Sequence, residues 1–390
     1  MEEKPGNEAK QLEIFEVGPV ADGYSMGFLI GHRFSGQIRS RLATDLILQN
    51  QLLPFAQTPQ GRKLINALSE NNQKKFPNYW NELLGTAQGS GVPFLDILLL
   101  NFRKEILPFI PKSEADLSSR DDNNDDCSDI LVVSDYMAIA AHNEDANVAL
   151  LGHTYLIKGI LPNGLCFTAY TYAGELPSCA FAFNSLGLAF TLNSVPPTQS
   201  EIVAGGIGRN FISRDLLEAE SMDDALTRIR SSEVSVGHSY NLIDTGKRRI
   251  LNVETASRTR VSVLEVGETP FFHANMYLHL QVQQVQDENS LTRQKSAALL
   301  PKSSKIDFLS LLGDTSDKTY PIYMTGCLWK SVTFFSAVRL SILCLMPFAF
   351  LTGPVLYTLC TVLIDLDENT LSITEGNPEQ REPSYVFSMS

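Results

Sequence analysis

The sequence lacks the cysteine pairs and metal-binding motifs that would announce a small secreted or zinc-containing protein. It has neither a CxxC nor an HExxH motif, and its six histidines are scattered, so we expect no metal site. Its six cysteines (residues 127, 166, 179, 327, 344 and 360) show no paired spacing, which favours a reducing compartment over a disulfide framework. The first 20 residues contain no apolar run, and the C-terminal Ser-Met-Ser lacks a basic middle residue. We therefore expect neither secretion nor peroxisomal targeting, and a cytoplasmic location.

Charge is also scarce, and it is mostly negative. Charged residues make up 19% of the chain and hydrophobic residues 44%, which is typical of a folded globular protein. The net charge of −13 argues against nucleic acid and anionic membrane surfaces as partners. With 390 residues, the chain has room for one large domain or two ordinary ones.

The order of apolar patterns predicts helices first and strands later. Residues 1–12 are polar, and we expect them to be disordered. A helical pattern then runs from Gln37 to Leu100, and strand patterns dominate beyond Asp145, except for helical spacing over 207–229. This order fits two sheets between layers of helices.

Three glycines near the N-terminus, Gly23, Gly27 and Gly31, are spaced four residues apart and therefore share one face of a helix. Such a face lets another backbone approach closely. Because the segment is short and is followed by His32 and Arg33, we predict a helix of a soluble domain and not a membrane helix.

The most informative stretch is 121–145. It opens with six acidic or amide residues, 121–126, which we expect to form a solvated loop that ends at Cys127. Two short apolar strands follow, over 130–133 and 137–141, and the second ends at His142, Asn143 and Asp145. A cysteine at such a junction is either an accessible nucleophile or a small buried hydrophobe.

This stretch resembles the acyl-coenzyme A:6-aminopenicillanic acid acyltransferase family of N-terminal nucleophile hydrolases. The junction Asp126-Cys127-Ser128 is similar to the family's Gly-Cys-Thr-type self-cleavage junction, and Asn143-Glu144-Asp145 to its Asn-x-Asp. Further along, within Phe272-His273-Ala274-Asn275, Asn275 is similar to the asparagine of the family's His-Thr-Asn-His, and Met276 replaces the second histidine. The resemblance implies an α+β fold, a four-layer αββα sandwich of the N-terminal nucleophile hydrolase type.

The resemblance also implies roles for individual residues. The chain would cut itself between Asp126 and Cys127, and Cys127 would become the catalytic nucleophile, with its own α-amino group as base. Asp145 would position that amino group, and Asn275 would donate a hydrogen bond to the oxyanion. His142 is then expected to be structural, not part of a dyad. Candidate residues of the substrate pocket are Ser128, Asn143, Asn193 and Arg103, of which Arg103 points either at the site or at solvent.

The implied activity is hydrolysis or acyl transfer on N-acyl amides or acyl-CoA thioesters through a thioester acyl-enzyme. No cofactor is expected, although acyl-CoA is a candidate substrate. The helical N-terminal fragment, 13–126, would stay packed as a partner on the nucleophile-bearing core, 127–390. Two alternatives remain: an uncleaved, inactive relative that only binds acyl amides or a protein, and a membrane-tethered protein.

Three features of the sequence that differ from the family pattern affect these expectations. Asp126 stands where the family has glycine, and a residue with a side chain tolerates less backbone strain, so self-cleavage is expected to be slow. Asp125, Asp126 and Asp129 are expected to disfavour a thiolate at Cys127 by like-charge repulsion. In addition, no arginine accompanies Tyr320-Pro321-Ile322, which argues against penicillin as the substrate.

A segment near the C-terminus does not fit its surroundings. No charged residue occurs from Leu340 to Ile364, which raises the question of a membrane span over 340–364. The dipeptide Thr-Gly occurs at 325–326 and again at 352–353, and deleting 326–352 would give a continuous family-like passage. We therefore interpret 326–352 as an aberrant insertion, such as a retained in-frame intron, with a genuine membrane anchor as the alternative.

Overall fold

The computed structural model describes residues 12–111, 127–326 and 356–389. The expectations for the N-terminal residues 1–11, for Asp126 and for all but the first residue of the 326–352 insertion fall outside these ranges.

The described residues form 14 strands and 11 α-helices. In chain order the strands are β1 (Glu13–Val17), β2 (Ser128–Val133), β3 (Ala138–Asn147), β4 (Thr154–Ile160), β5 (Cys166–Tyr172), β6 (Phe181–Asn184), β7 (Leu188–Ser194), β8 (His238–Asp244), β9 (Arg249–Ala256), β10 (Arg260–Glu265), β11 (Phe271–His273), β12 (Leu356–Asp365), β13 (Thr370–Thr374) and β14 (Tyr385–Ser388). The helices are α1 (Gly23–Arg33), α2 (Ser35–Thr44), α3 (Leu53–Ala56), α4 (Pro59–Lys75), α5 (Pro77–Ser90), α6 (Phe94–Asn101), α7 (Arg103–Ile106), α8 (Arg209–Leu216), α9 (Met222–Arg230), α10 (Glu288–Leu299) and α11 (Lys305–Leu312).

The strands form two sheets. Sheet A has eight strands in the order β1-β4-β5-β6-β7-β8-β9-β10, and sheet B has six in the order β11-β2-β3-β12-β13-β14. All pairings in both sheets are antiparallel except that of β1 with β4, which is parallel. The nucleophile candidate, Cys127, directly precedes β2 and so lies at the end of a strand inside sheet B.

Three apolar cores separate four layers. Residues of the N-terminal helices and of α8 and α9 form one core with sheet A, for example Leu83 and Phe211 with Tyr240. A second core lies between the sheets, and a third joins sheet B to α10 and α11. Successive side chains of β2 point to opposite faces of sheet B, so this strand contributes to both the second and the third core. Leu131 faces sheet A, and Ile130 faces the helices. The predicted α+β fold, an αββα sandwich, is confirmed.

The glycine face near the N-terminus packs against α5, as its spacing predicts. A Cβ atom at Gly27 would lie 1.9 Å from the carbonyl oxygen of Glu82, and one at Gly85 would lie 2.1 Å from that of Tyr24. Glycines on both helices therefore allow the two backbones to touch, and this contact fixes α1 on the helical layer.

We expect Gly27→Ala to destabilise the protein by about 1–3 kcal/mol, because the added methyl group forces two backbones apart. Urea unfolding of the full chain measures this loss. Gly36→Ala is the matched control: Gly36 is also helical, but nothing lies within 4 Å of a Cβ placed there. The control should be neutral or gain about 0.5–1 kcal/mol from helix propensity. Equal stability of the two variants would contradict the close contact of α1 with α5.

Some local predictions were wrong. The N-terminal fragment is not helical throughout, because it begins with β1, which pairs with β4 through the backbone of Glu13–Val17. Residues 149–151 belong to the region beyond Asp145 where strand patterns dominate, but they lie in and just after a 3₁₀ turn, Val148–Leu150. Strand β3 runs past the predicted end at His142, Asn143 and Asp145 and continues to Asn147. It does so because β12 continues to pair with it there.

The membrane alternative can be tested for part of its span. Residues 356–364 belong to β12, which pairs with β3 and β13 inside sheet B, so this part of the apolar stretch is a core strand. Among the helices that the structure describes, none has the length and apolar character needed to cross a membrane.

The two described ends that flank 327–355 lie side by side. Thr325 and Tyr357 form an antiparallel bridge. Next to it, the Met324 N–H donates to Thr358 Oγ1 at 2.8 Å, and the Thr358 N–H donates to the Met324 carbonyl at 2.9 Å. Thr325 and the first residues of β12 are therefore neighbours in space.

Candidate active site

Alternation along β2 and β3 divides the candidate residues between two faces of sheet B. Asp129 and His142 are cross-strand partners in an antiparallel pair and therefore point the same way. Thr191 of sheet A donates to Asp129 Oδ1 at 3.0 Å, so this face looks towards sheet A. Glu144 lies two residues beyond His142 and shares this face, whereas Asn143 and Asp145 lie on the opposite one.

The Cys127 thiol lies on the side of sheet A. Its Sγ is 3.6 Å from Glu144 Oε2 and 3.8 Å from the carbonyl oxygen of Asp145, and only 3% of the residue is exposed. The hydroxyl of Tyr172, on β5, donates to the other carboxylate oxygen of Glu144. A buried thiol in contact with a carboxylate has a proton acceptor close at hand.

A buried histidine joins two carboxylates behind the thiol. His142 Nε2 is 2.9 Å from Glu144 Oε2, and its Nδ1 is 2.8 Å from Asp129 Oδ1. Burial alone would lower the pKa of His142, but the charges and hydrogen bonds of the two carboxylates raise it to about 10. His142 is therefore positively charged at neutral pH. The positive charge of His142 offsets the negative charge of Asp129. From the sequence alone, Asp129 was expected only to repel a thiolate at Cys127.

Arg293 of α10 connects the nucleophile to the oxyanion candidate. Its Nη1 donates to the Cys127 carbonyl and to Ser128 Oγ, each at 2.8 Å, and its Nη2 donates to Asn275 Oδ1 at 2.9 Å. The side chain is fully buried. A planar guanidinium with donors at fixed angles holds these groups in one geometry.

Asn275 follows β11, and its side-chain amide is oriented at both ends. Arg293 binds the oxygen, and the nitrogen donates to the carbonyl of Ser194 at 3.0 Å. An amide nitrogen carries two hydrogens, and the contacts among the described residues use one of them. The other N–H is the candidate donor to an oxyanion.

Asp145 is held from the opposite side of sheet B. Thr358 Oγ1, on β12, donates to Asp145 Oδ1, and the residue is fully buried. The backbone carbonyl of Asp145 contacts the Cys127 thiol, so the residue lies next to Cys127 while its carboxylate is held by Thr358.

The four pocket candidates have different surroundings. Ser128 lies at the site and accepts from Arg293. Asn193 lies on β7 of sheet A, and its Nδ2 is 3.4 Å from His273 Nδ1. Its Oδ1 is buried with no hydrogen-bond partner among the described residues. Asn143 instead holds the sandwich together: it donates to the carbonyls of Leu312 and Ile322 and accepts from Thr361. Arg103 forms an ion pair with Asp45 in the helical layer.

Sequence reasoning missed Arg293 and the role of Glu144. Glu144 is the variable position of the Asn-x-Asp motif, yet strand alternation alone places it beside Cys127 and His142. Arg293 has no local signal, because it lies on a helix 166 residues further along the chain.

The chain matches the sequence model of one protein family. The acyl-coenzyme A:6-aminopenicillanic acid acyl-transferase model matches residues 134–338, which is more than half of the chain. The chain belongs to this family. Asp145, Asn275 and Arg293 lie inside the matched range, and Cys127 precedes it. Membership of the acyltransferase family places the chain among enzymes that hydrolyse amides or transfer acyl groups.

Similarity extends beyond the matched range. A curated relative from Drosophila melanogaster, the beta-alanyl-dopamine/carcinine hydrolase, is 27% identical over 386 residues, covering 92% of each chain. Among solved structures, a conjugated bile acid hydrolase variant from Clostridium perfringens is 11% identical and covers 67% of this chain and 92% of its own, with a TM-score of 0.40. The N-acylethanolamine-hydrolyzing acid amidase ortholog of Caenorhabditis elegans is 12% identical and covers 50% and 89%, with a TM-score of 0.35. These two scores are too low to carry an argument.

Proposed function

We propose that this member of the family is a self-cleaving cysteine amidohydrolase, with Cys127 as the nucleophile. One observation carries the proposal: two charged side chains contact the same buried cysteine. The Glu144 carboxylate lies at the thiol of Cys127, and Arg293 binds its carbonyl. The same arginine orients an asparagine amide, so nucleophile and oxyanion donor form one unit.

Maturation would begin with the thiol. Cys127 Sγ attacks the carbonyl carbon of Asp126, the peptide nitrogen of Cys127 leaves as an amine, and a thioester forms in place of the amide. The acyl shift therefore frees the new α-amino group, and water then hydrolyses the thioester, which releases the Asp126 carboxylate and frees the thiol. In the uncut chain that amino group is still part of a peptide bond. Glu144, 3.6 Å from Sγ, is therefore the acceptor we propose for the thiol proton in this first step.

Turnover would use the same parts. The thiolate attacks the carbonyl carbon of an N-acyl amide, and the Asn275 amide stabilises the negative charge that develops on the oxygen. The amine leaves with a proton from the α-amino group of Cys127, which Asp145 holds in place. Water or an acceptor amine then takes the acyl group from the thioester.

For the substrate we propose amides of β-alanine with an arylethylamine such as dopamine, the kind named in the Drosophila melanogaster relative. A β-alanyl group carries a cation at neutral pH, and the chain has a net charge of −13. The same charge disfavours acyl-CoA, whose phosphates are anionic. Hydrolysis of a β-alanyl amide is therefore expected to be faster than transfer from acyl-CoA.

The test is turnover of β-alanyl-dopamine, with N-acetyl-dopamine and acetyl-CoA plus dopamine as comparisons. Acid quenching in the steady state should leave the 127–390 fragment heavier by one β-alanyl group, in a bond that hydroxylamine cleaves, as expected for a thioester. The Cys166→Ala variant, altered at an exposed cysteine, should behave like the wild type. An acyl group found on another residue would refute Cys127 as the nucleophile. Turnover of none of the three substrates would refute the proposed substrate class.

A further inference from the structure

The residues behind the thiol also make a set of metal ligands. Cys127 Sγ, His142 Nε2 and a carboxylate oxygen of Glu144 all lie within 4.8 Å of one another, and all three residues are buried. The sequence predicts no metal site because no familiar motif is present. Here the ligands come from the residue before β2 and from alternate positions of β3, a spacing that motif searches do not cover.

The surroundings of the three donors resemble the outer shell of a metal site. Asp129 accepts from His142 Nδ1 at 2.8 Å and so turns Nε2 towards Glu144 and the thiol. A carboxylate on the far nitrogen is the usual partner of a metal-binding histidine. Tyr172 binds Glu144 Oε1, so the other oxygen, Oε2, faces Cys127 and His142.

We propose that Cys127 Sγ, His142 Nε2 and Glu144 Oε2 bind a thiophilic divalent cation of the zinc class. Thiolate and imidazole together select zinc over Mg²⁺ or Ca²⁺, which prefer oxygen ligands. Three protein ligands leave a fourth tetrahedral position for water. On binding, the thiol and the imidazolium each release one proton to solvent, and no group is oxidised or reduced.

The consequence concerns the nucleophile. A sulfur bound to zinc has its electron pair engaged, so the bound metal blocks attack on a carbonyl and acts as a reversible inhibitor. This consequence rests on the proposed function, whereas binding of the cation does not.

Cobalt(II) titration of the purified full-length protein tests the site directly. We expect one equivalent to produce a near-ultraviolet thiolate-to-cobalt charge-transfer band, which zinc removes and Mg²⁺ leaves unchanged. Cys166→Ala should retain the band, and Cys127→Ala should lose it. Asp129→Asn keeps the shape of the side chain but weakens the hold on His142, and it should reduce zinc affinity about 10–100-fold.

A second measurement needs no variant and so does not depend on the folding of one. Zinc should protect Cys127 of the wild-type protein from iodoacetamide, as read by peptide mapping, while the exposed Cys166 is alkylated at an unchanged rate. Alkylation of Cys127 at the same rate with saturating zinc, or the absence of a charge-transfer band, would overturn the proposal. Both readouts are independent of turnover, so they succeed or fail whether or not the protein hydrolyses an amide.

Discussion

Replacing Cys127 by alanine should leave the chain uncut and without amidase activity. The wild-type protein should mature into fragments 1–126 and 127–390, because the thiol beside Glu144 attacks the preceding carbonyl. Alanine has no nucleophile, and its methyl group is smaller than the thiol that it replaces, so the fold should be retained. Intact mass spectrometry of both proteins gives the result: two masses for the wild type and one for the variant.

The control for this experiment is another cysteine. Cys166 is exposed, and Cys166→Ala should mature like the wild type. A Cys127→Ala protein that is still cut between residues 126 and 127 would show that another protease makes the cut. Because aspartate stands at 126 where the family has glycine, the wild-type cut is expected to be slow, and a time course after purification is needed.

Asn275→Ala should keep the fold and slow turnover by about a hundredfold to a thousandfold, or about 3–4 kcal/mol. The amide supplies a hydrogen bond where negative charge develops, in a site closed to water. Asn275→Asp should be slower still, because a carboxylate has no N–H to donate and places a second negative charge beside the oxyanion. Steady-state kcat of the matured proteins measures both effects.

The neighbouring residue supplies the control. Met276 stands where the family has histidine, so Met276→His should cost little. Arg293→Lys adds a second check, because lysine keeps the charge but cannot bind the Cys127 carbonyl and Asn275 Oδ1 at fixed angles. If Arg293 positions the amide, this variant lowers kcat more than it changes KM. Unchanged kcat in Asn275→Ala would remove Asn275 from the site.

The fold could be predicted because its signals are local. Glycines at 23, 27 and 31 define a helix face, and the structure places α5 against it. The order of helical and strand patterns gives the four layers. The strand β1 was not predicted. Its five residues have little apolar periodicity of their own, and their strand conformation depends on pairing with the backbone of β4.

The candidate site could be predicted only where the family motifs run. Cys127, Asp145 and Asn275 each belong to a motif, and the structure connects Cys127 to both of the others. His142 was expected to be structural, and its ring nitrogens contact Asp129 and Glu144, the second of which in turn contacts the thiol. Arg293 could not be found, because the pattern of a helix shows which residues share a face but not which strand that face meets.

The bridge between Thr325 and Tyr357 has a consequence for the history of the gene. Without residues 326–352, the two bridged residues would be joined by 353–356, a four-residue connection of the length that ordinary hairpins use. For a flexible connection in general, growth from four to about 30 residues costs only about 2 kcal/mol in loop-closure entropy, because each doubling adds roughly 0.6 kcal/mol. Between Thr325 and Tyr357, residues can therefore be inserted or deleted without changing the register of the strands. An insertion a few residues later, within β12, would instead break the strand pairing that holds Thr358 against Asp145.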